Sequence, residues 1–148
     1  MIDADLAIRT AYYNALNNTI YSAGSPVPYY VKVPTGAGYP YIYQAGVTKV
    51  PNRTKDKWMW DITITLNIVS LSVGNSGGQA LNDDIASQAE QIVIGTVPGQ
   101  TPLSFGVNFT NVLNELVSSV TMPPQEASNG IFYYRIIKIK HLISQFNS

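Results

Sequence analysis

Between Lys57 and Ser72 the chain reads KWMWDITITLNIVSLS. From Trp58 every second residue is apolar: Trp58, Trp60, Ile62, Ile64, Leu66, Ile68. The positions between them hold Met59, Asp61, Thr63, Thr65 and Asn67. A period of two is the pattern of a strand with one buried face. Here it persists for about twice the ordinary strand length of roughly five to six residues. Such a strand needs a second layer over the Trp–Ile–Leu face. At Val69 and Leu71 the apolar residues change face, which predicts a bulge or a strand leaving its own core. The far end is then expected to meet a neighbouring subunit.

The rest of the chain supplies the second layer. Asp3 can cap a first helix, and Leu6, Arg9 or Thr10, Tyr13 and Leu16, with Ile2 one turn earlier, make a helical stripe that Asn17 and Asn18 end. Prolines 26, 28, 34 and 40 then restrict the chain to short strands, expected near 29–33 and 41–44. Pro51 and Asn52 mark a turn, so 49–57 reads as a hairpin tip or loop entering the long strand. A second helix is expected at about 80–94, with Leu81, Ile85, Gln88 or Ala89 and Ile92 inward. Asp83 and Asp84 would lie in its first turn and Gly95 would stop it. Residues 107–122 fit a helix in part, but LVSSVTM is rich in β-branched residues, and the later part is read as strand. PPQEASNG is a turn or exposed loop. IFYYRIIKIKHLISQF is a final long strand, with Ile131, Tyr133, Arg135, Ile137 and Ile139 on one face. Its first half is apolar on both faces, as in a central or interface-buried strand. The expected fold is a single α+β domain, a mostly antiparallel sheet with long strands and two helices packed on one face.

Composition narrows the function. The 148 residues contain no cysteine, which excludes disulfides, thiolate metal sites and thiol nucleophiles. No apolar run approaches a membrane span of roughly 18 residues, and the acidic start MIDADLAIRT has no apolar core of a signal peptide. Manufacture in the cytoplasm and no membrane contact are expected. Charged residues are only 12% of the chain, with net charge zero, against about 25% in ordinary soluble domains. Ten tyrosines occur in the runs AYYN, PYY, YPYIY and FYYR. Strand packing accounts for about half of them. Neutral surfaces rich in Tyr, Thr and Asn favour self-association. Tyr29, Tyr41, Tyr43, Thr63, Thr65 and Asn67 are the candidate subunit-interface residues.

Candidates for chemistry are sparse. His141 is the single histidine, and no nucleophile-elbow motif accompanies it. On a strand among lysines it reads as solvated or hydrogen-bonded. Asp3/Asp5 and Asp83/Asp84 are adequately explained by helix starts. GNSGG and GTVPGQTP lack the lysine of a phosphate loop. No catalytic residue, cofactor or metal is expected. Lys49, Arg53, Lys55 and Lys57, opposed only by Asp56, form the one basic cluster. Zero net charge speaks against tight DNA binding by one copy; a ring would gather one such loop per copy around a lumen.

The order of elements carries a resemblance. A helix precedes the proline-punctuated SPVPYYVKVPTGAGYPYIYQAG, then the strand WMWDITITLNIVS, the helix NDDIASQAEQIV, and a β-rich end with NGIFYYRIIKIKHLI. Over nearly the whole chain, as a pattern of elements without a diagnostic motif, this resembles tail-terminator, tail-completion and neck (head-to-tail joining) ring proteins of tailed bacteriophages. The resemblance implies a non-enzymatic virion protein, made in the host cytoplasm and resident in the tail or neck. It implies a homo-oligomeric ring of 6 or 12 copies that touches portal, neck or tail proteins and passes genomic DNA without sequence-specific binding. A subunit of a phage-tail-like secretion or contractile apparatus is the alternative, and a small carboxylate-dependent enzyme ranks below it.

Overall fold

The computed structural model describes residues 4–22, 24–52, 58–72, 78–95, 103–106 and 109–145. Among them, two helices and eight strands follow the order α1 (Asp5–Leu16), β1 (Tyr21–Ser22), β2 (Ser25–Pro26), β3 (Tyr29–Tyr30), β4 (Tyr41–Pro51), β5 (Met59–Ser72), α2 (Gly78–Ile94), β6 (Phe109–Thr121), β7 (Gln125–Ala127), β8 (Gly130–Gln145). The fold is α+β. The main sheet runs β3-β4-β5-β8-β6, and β7 extends the β6 edge beside the start of β8. All its pairs are antiparallel except β3 with β4.

The long strand is long because a longer one lies beside it. β5 pairs with β8 residue for residue from Met59↔Ser144 to Ser72↔Ile131. That unbroken ladder corrects the expected bulge at Val69. Ser70 takes the inward position after Ile68 and is buried, while Val69 and Leu71 turn outward toward Tyr134 and Phe132 across the ladder. The far end of β5 is therefore paired within its own chain.

One face of the sheet holds the core. Trp60, Ile62, Ile64, Leu66 and Ile68 from β5 meet Ile137, Ile139 and Ile143 from β8 beneath the helices. α2 covers them with Ile85, Ala86, Ala89 and Val93. It begins at Gly78, so Asp83 and Asp84 lie beyond its first turn, contrary to expectation. Asp83 instead pairs with Arg135 of β8, and Asp84 accepts from Gln88. Gly95 ends α2 at φ +72°, its N–H bonded to the Gln91 carbonyl.

α1 corrects the sequence reading in a more consequential way. Its buried stripe is Ala4, Ile8, Tyr12 and Leu16, flanked by Ala7, Ala11 and Ala15. Leu6 and Tyr13, expected inside, are 71% and 48% exposed. The helix has two apolar faces and buries only one. Its N-cap is Ala4, without a side-chain cap; Asp3 lies outside the described residues.

β4 runs to Pro51, well beyond the short strand expected. Pro51 is tolerated because β3 covers only Ile42 and Tyr43, leaving the rest of β4 at the sheet edge, where no ladder bond is lost. Residues 107–122 resolve as strand over Phe109–Thr121, with register shifts at Asn111/Leu113 and Leu116/Ser118. A tight turn at Ser128–Asn129 joins β7 to β8. Gly130, at φ +141°, follows it, and a Cβ there would stand 2.5 Å from the Ser72 carbonyl oxygen. Gly130→Ala is expected to cost about 1–3 kcal/mol in chemical denaturation. Amide exchange should speed up at the Ser72–Ile131 end of the ladder and not at its Met59–Ser144 end.

Candidate functional site

Among the described residues the fold gathers polar groups at a buried histidine and leaves apolar ones uncovered on the helix-free side of the sheet, along β6 and on the outer face of α1. His141 lies at a core-facing position of β8, fully buried. The rings of Tyr12 and Phe105 meet it edge-on, at 5.6 and 5.0 Å between centroids. Its Nδ1 faces Asn114 Oδ1 of β6 and its Nε2 faces the Tyr12 hydroxyl of α1. The Asn114 oxygen can only accept, so Nδ1 carries the proton and Nε2 accepts from Tyr12. Burial lowers the His141 pKa from 6.5 to about 4 and pushes the Tyr12 hydroxyl well up, with Tyr29 adding a smaller push. Both groups stay neutral at pH 7, and each fills the other's hydrogen-bonding need. The trio fastens α1, β8 and β6 together. Tyr12 would have to lose its proton against that burial to attack a substrate, so the arrangement serves structure better than nucleophilic chemistry. Among the described residues no group of three His, Asp or Glu side chains could hold a metal ion.

Lys49, expected in a loop, lies on a strand. Its side chain lies on the helix side of the sheet, only 20% exposed. The ammonium is 2.9 Å from Asp5 Oδ1 and 5.4 Å from the centre of the Trp60 ring. The residue belongs to β4, and its ammonium is turned toward α1. Arg53, Lys55 and Lys57 lie outside the described residues, between the ends of β4 and β5.

The opposite face of the sheet carries neither of the two described helices. Across it run Tyr41 and Tyr43 of β4, Thr63, Thr65 and Asn67 of β5, Tyr134 and Ile136 of β8, and Val120 of β6. All but Val120 are half-buried, Val120 being exposed. Tyr29 is the exception among the expected interface residues. It points into the core with its hydroxyl donating to Gln44 at 2.6 Å, because β3 turns alternate residues to opposite faces. Its neighbour Tyr30 is the one on the open side, its ring 5.8 Å from Tyr41.

The open face is graded. At one end Tyr39 joins Tyr41 to Phe132, and Phe132 stacks on Tyr134. Partial burial raises the Tyr41 pKa first, and its neighbours Tyr39, Tyr134, Tyr43 and Tyr30 raise it further. This end is aromatic and uncharged at neutral pH. Beside it is a shallow cavity of about 180 Å³ lined by Asn67, Met122, Gln125, Tyr134 and Ile136. Asn67 Oδ1 is buried there with no hydrogen-bond partner among the described residues. Charges gather at the other end: Asp61, Glu115, Lys138 and Lys140, with Lys140 Nζ 4.0 Å from Asp61. Sequence alternation places Thr63, Thr65 and Asn67 on this face. It misses Tyr39, Phe132 and Tyr134, whose clustering depends on pairing partners far apart in the chain.

The β6 edge completes the picture. Val112, Leu113, Leu116, Val117 and Val120 are each 41–53% exposed. Edge strands are ordinarily blunted by lysine, proline or a covering element; β6 has neither lysine nor proline. No described helix is long and apolar enough to cross a membrane.

No family model matches the chain, and no curated protein matches it. Among solved structures it is similar to a chain from the virion of a native gene transfer agent (GTA) particle. The two are 11% identical over 97% of this chain and 92% of that chain, with a TM-score of 0.44. A likeness of this degree carries no functional assignment.

Proposed function

We propose that this chain is a structural subunit of a phage-like virion that works by assembling with copies of itself into a ring, of the tail-terminator or neck kind. The observation that carries the reading is the pairing of a helix-free, Tyr/Thr/Asn-rich sheet face with an apolar, uncovered edge strand. A domain with surfaces of this kind gains by burying them against another protein, and a chain with zero net charge does little to prevent it. The ring, of 6 or 12 copies, joins or completes the tail. It meets portal, neck or tail proteins and lets genomic DNA pass without reading its sequence. Tyr41, Tyr43, Thr63, Thr65 and Asn67 contribute to subunit contacts, and Arg53, Lys55 and Lys57 face the lumen or an axial partner.

Two variants test this. Thr65→Lys places a charge at the centre of the open face. It should prevent assembly while costing the fold about 1 kcal/mol, since the new ammonium also faces Lys138 across the ladder. Normal assembly of that variant would remove the open face from the interface. Reversing Arg53, Lys55 and Lys57 to glutamate should leave the subunit folded but impair particle assembly or DNA delivery. Wild-type particle yield and infectivity would take those three residues out of the lumen role.

A further inference from the structure

The two apolar surfaces that the fold leaves uncovered sit at opposite ends of the sheet. One is the ridge of β6, the last strand in the order β3-β4-β5-β8-β6. At about 3.4 Å per residue this strand is roughly 40 Å long. The other lies at the β3 end. There the outer face of α1 and the segment after β3 enclose an open groove of about 280 Å³, lined by Leu6, Arg9, Thr10, Tyr13, Asn14 and Val31. Leu6, Tyr13 and Val31 are 71%, 48% and 46% exposed. Leu6 and Tyr13 are the apolar residues that α1 presents on its second face, away from its own core, and Val31 adds to them from the segment after β3.

The charges match across the pair. Glu115 is the single charged residue in β6. Arg9 is the single charged residue lining the groove. Neither makes an ion pair among the described residues. We propose that the β6 ridge of one copy seats in the α1–β3 groove of the next, with Glu115 opposite Arg9. The contact is heterologous, joining unlike surfaces, so repetition closes a ring or continues as a filament. It rests on the self-assembly reading above and names the surfaces that reading needs.

Side-chain packing is the mode of contact, not extension of the sheet. The two register shifts in β6, at Asn111/Leu113 and Leu116/Ser118, interrupt the even row of edge N–H and C=O groups that an incoming strand would require. They also add outward-facing side chains. Val112 and Val117 are the unpaired residues at those shifts, and both are exposed.

A charge swap tests the contact, read by light scattering over a concentration series. Glu115→Arg and Arg9→Glu should each raise the concentration needed for assembly about tenfold or more, because each places like charges together. The double variant should return it to near the wild-type value. Val117→Asp should weaken assembly in either background. At concentrations too low for assembly all four should stay folded and melt within a few degrees of wild type, since each site is exposed; Glu115→Arg carries a small cost from facing Lys140 across the ladder. If wild type assembles but neither reversal nor Val117→Asp moves the concentration, the ring uses other surfaces and this contact is wrong, with the ring reading intact. If both singles weaken assembly and the double does not recover, the patches matter but Glu115 does not face Arg9, which overturns the pairing. If wild type stays a single chain at every concentration, self-assembly fails and this contact fails with it.

Discussion

Acidification from pH 7 to pH 4 should destabilise the fold by about 3 kcal/mol through His141 alone. The folded pKa of this group is lowered to about 4 from 6.5 by burial. Above pH 6.5 neither state carries the proton, and the contribution is at its full value. As pH falls through 6.5 the unfolded chain takes up a proton that the folded chain refuses, so stability declines until about pH 4. Below that both states are protonated and the loss levels off. No carboxylate among the described neighbours of the ring offsets the charge; its partners are Tyr12, Phe105 and Asn114, all neutral. Urea denaturation at half-unit steps of pH reads the slope. His141→Gln keeps a polar side chain at the position but does not titrate here, so the variant should lack this part of the slope and the wild-type-minus-variant stability should fall by about 3 kcal/mol between pH 7 and pH 4. An equal slope in both proteins would show that His141 is not buried as a neutral base. His141→Ala is the harsher change. It leaves the fully buried Tyr12 hydroxyl unpaired, at about 1–3 kcal/mol for a buried group left unsatisfied, and frees the part-buried Asn114 carbonyl at a smaller cost.

Ile64→Ala should have an effect of similar size by a different route. Ile64 and Ile139 face each other directly across the β5–β8 ladder, both fully buried. Removing the larger side chain leaves a cavity in the middle of the core, where the two longest strands allow little collapse. The expected loss is about 2–5 kcal/mol, a large share of the roughly 5–15 kcal/mol that holds a domain together. Thr63→Ala, one residue earlier, lies on the open face and should cost under about 1 kcal/mol while leaving Ile64 packed. The contrast between adjacent residues checks which face of β5 is inside. Equal losses at both positions would contradict the one-sided core.

Much of this architecture was legible because period-two alternation in β5 is long and uninterrupted. It places Ile62, Ile64, Leu66 and Ile68 inside and Thr63, Thr65 and Asn67 outside, as the structure has them. The failures have physical causes. α1 is apolar on two faces, and its buried side relies on alanines 7, 11 and 15 as much as on Ile8 and Tyr12. The larger Leu6 and Tyr13 draw a periodicity reading to the wrong side. Lys49 looked like a loop lysine because Pro51 suggested a turn before the strand could end. β4 continues because its outer edge is unpaired there, and that is a fact about its neighbours. Val69 and Leu71 looked like a change of face, yet Ser70 simply fills an inward position. The His141 trio joins residues 129 and 27 positions apart, beyond the reach of local pattern. Alternation places Tyr41 and Tyr43 on the open face, where they stand opposite Val69 and Asn67. Tyr29 was lost because two consecutive tyrosines on a short strand must point opposite ways.

The central claim is that the folded chain is incomplete alone and buries its open face and β6 edge against copies of itself. Its most direct test is the mass of the purified protein in solution, measured by light scattering from micromolar to millimolar concentration. The account predicts a discrete multiple of the 16.2 kDa chain mass, with closed rings in negative-stain images. A mass of 16.2 kDa across the whole range would contradict it.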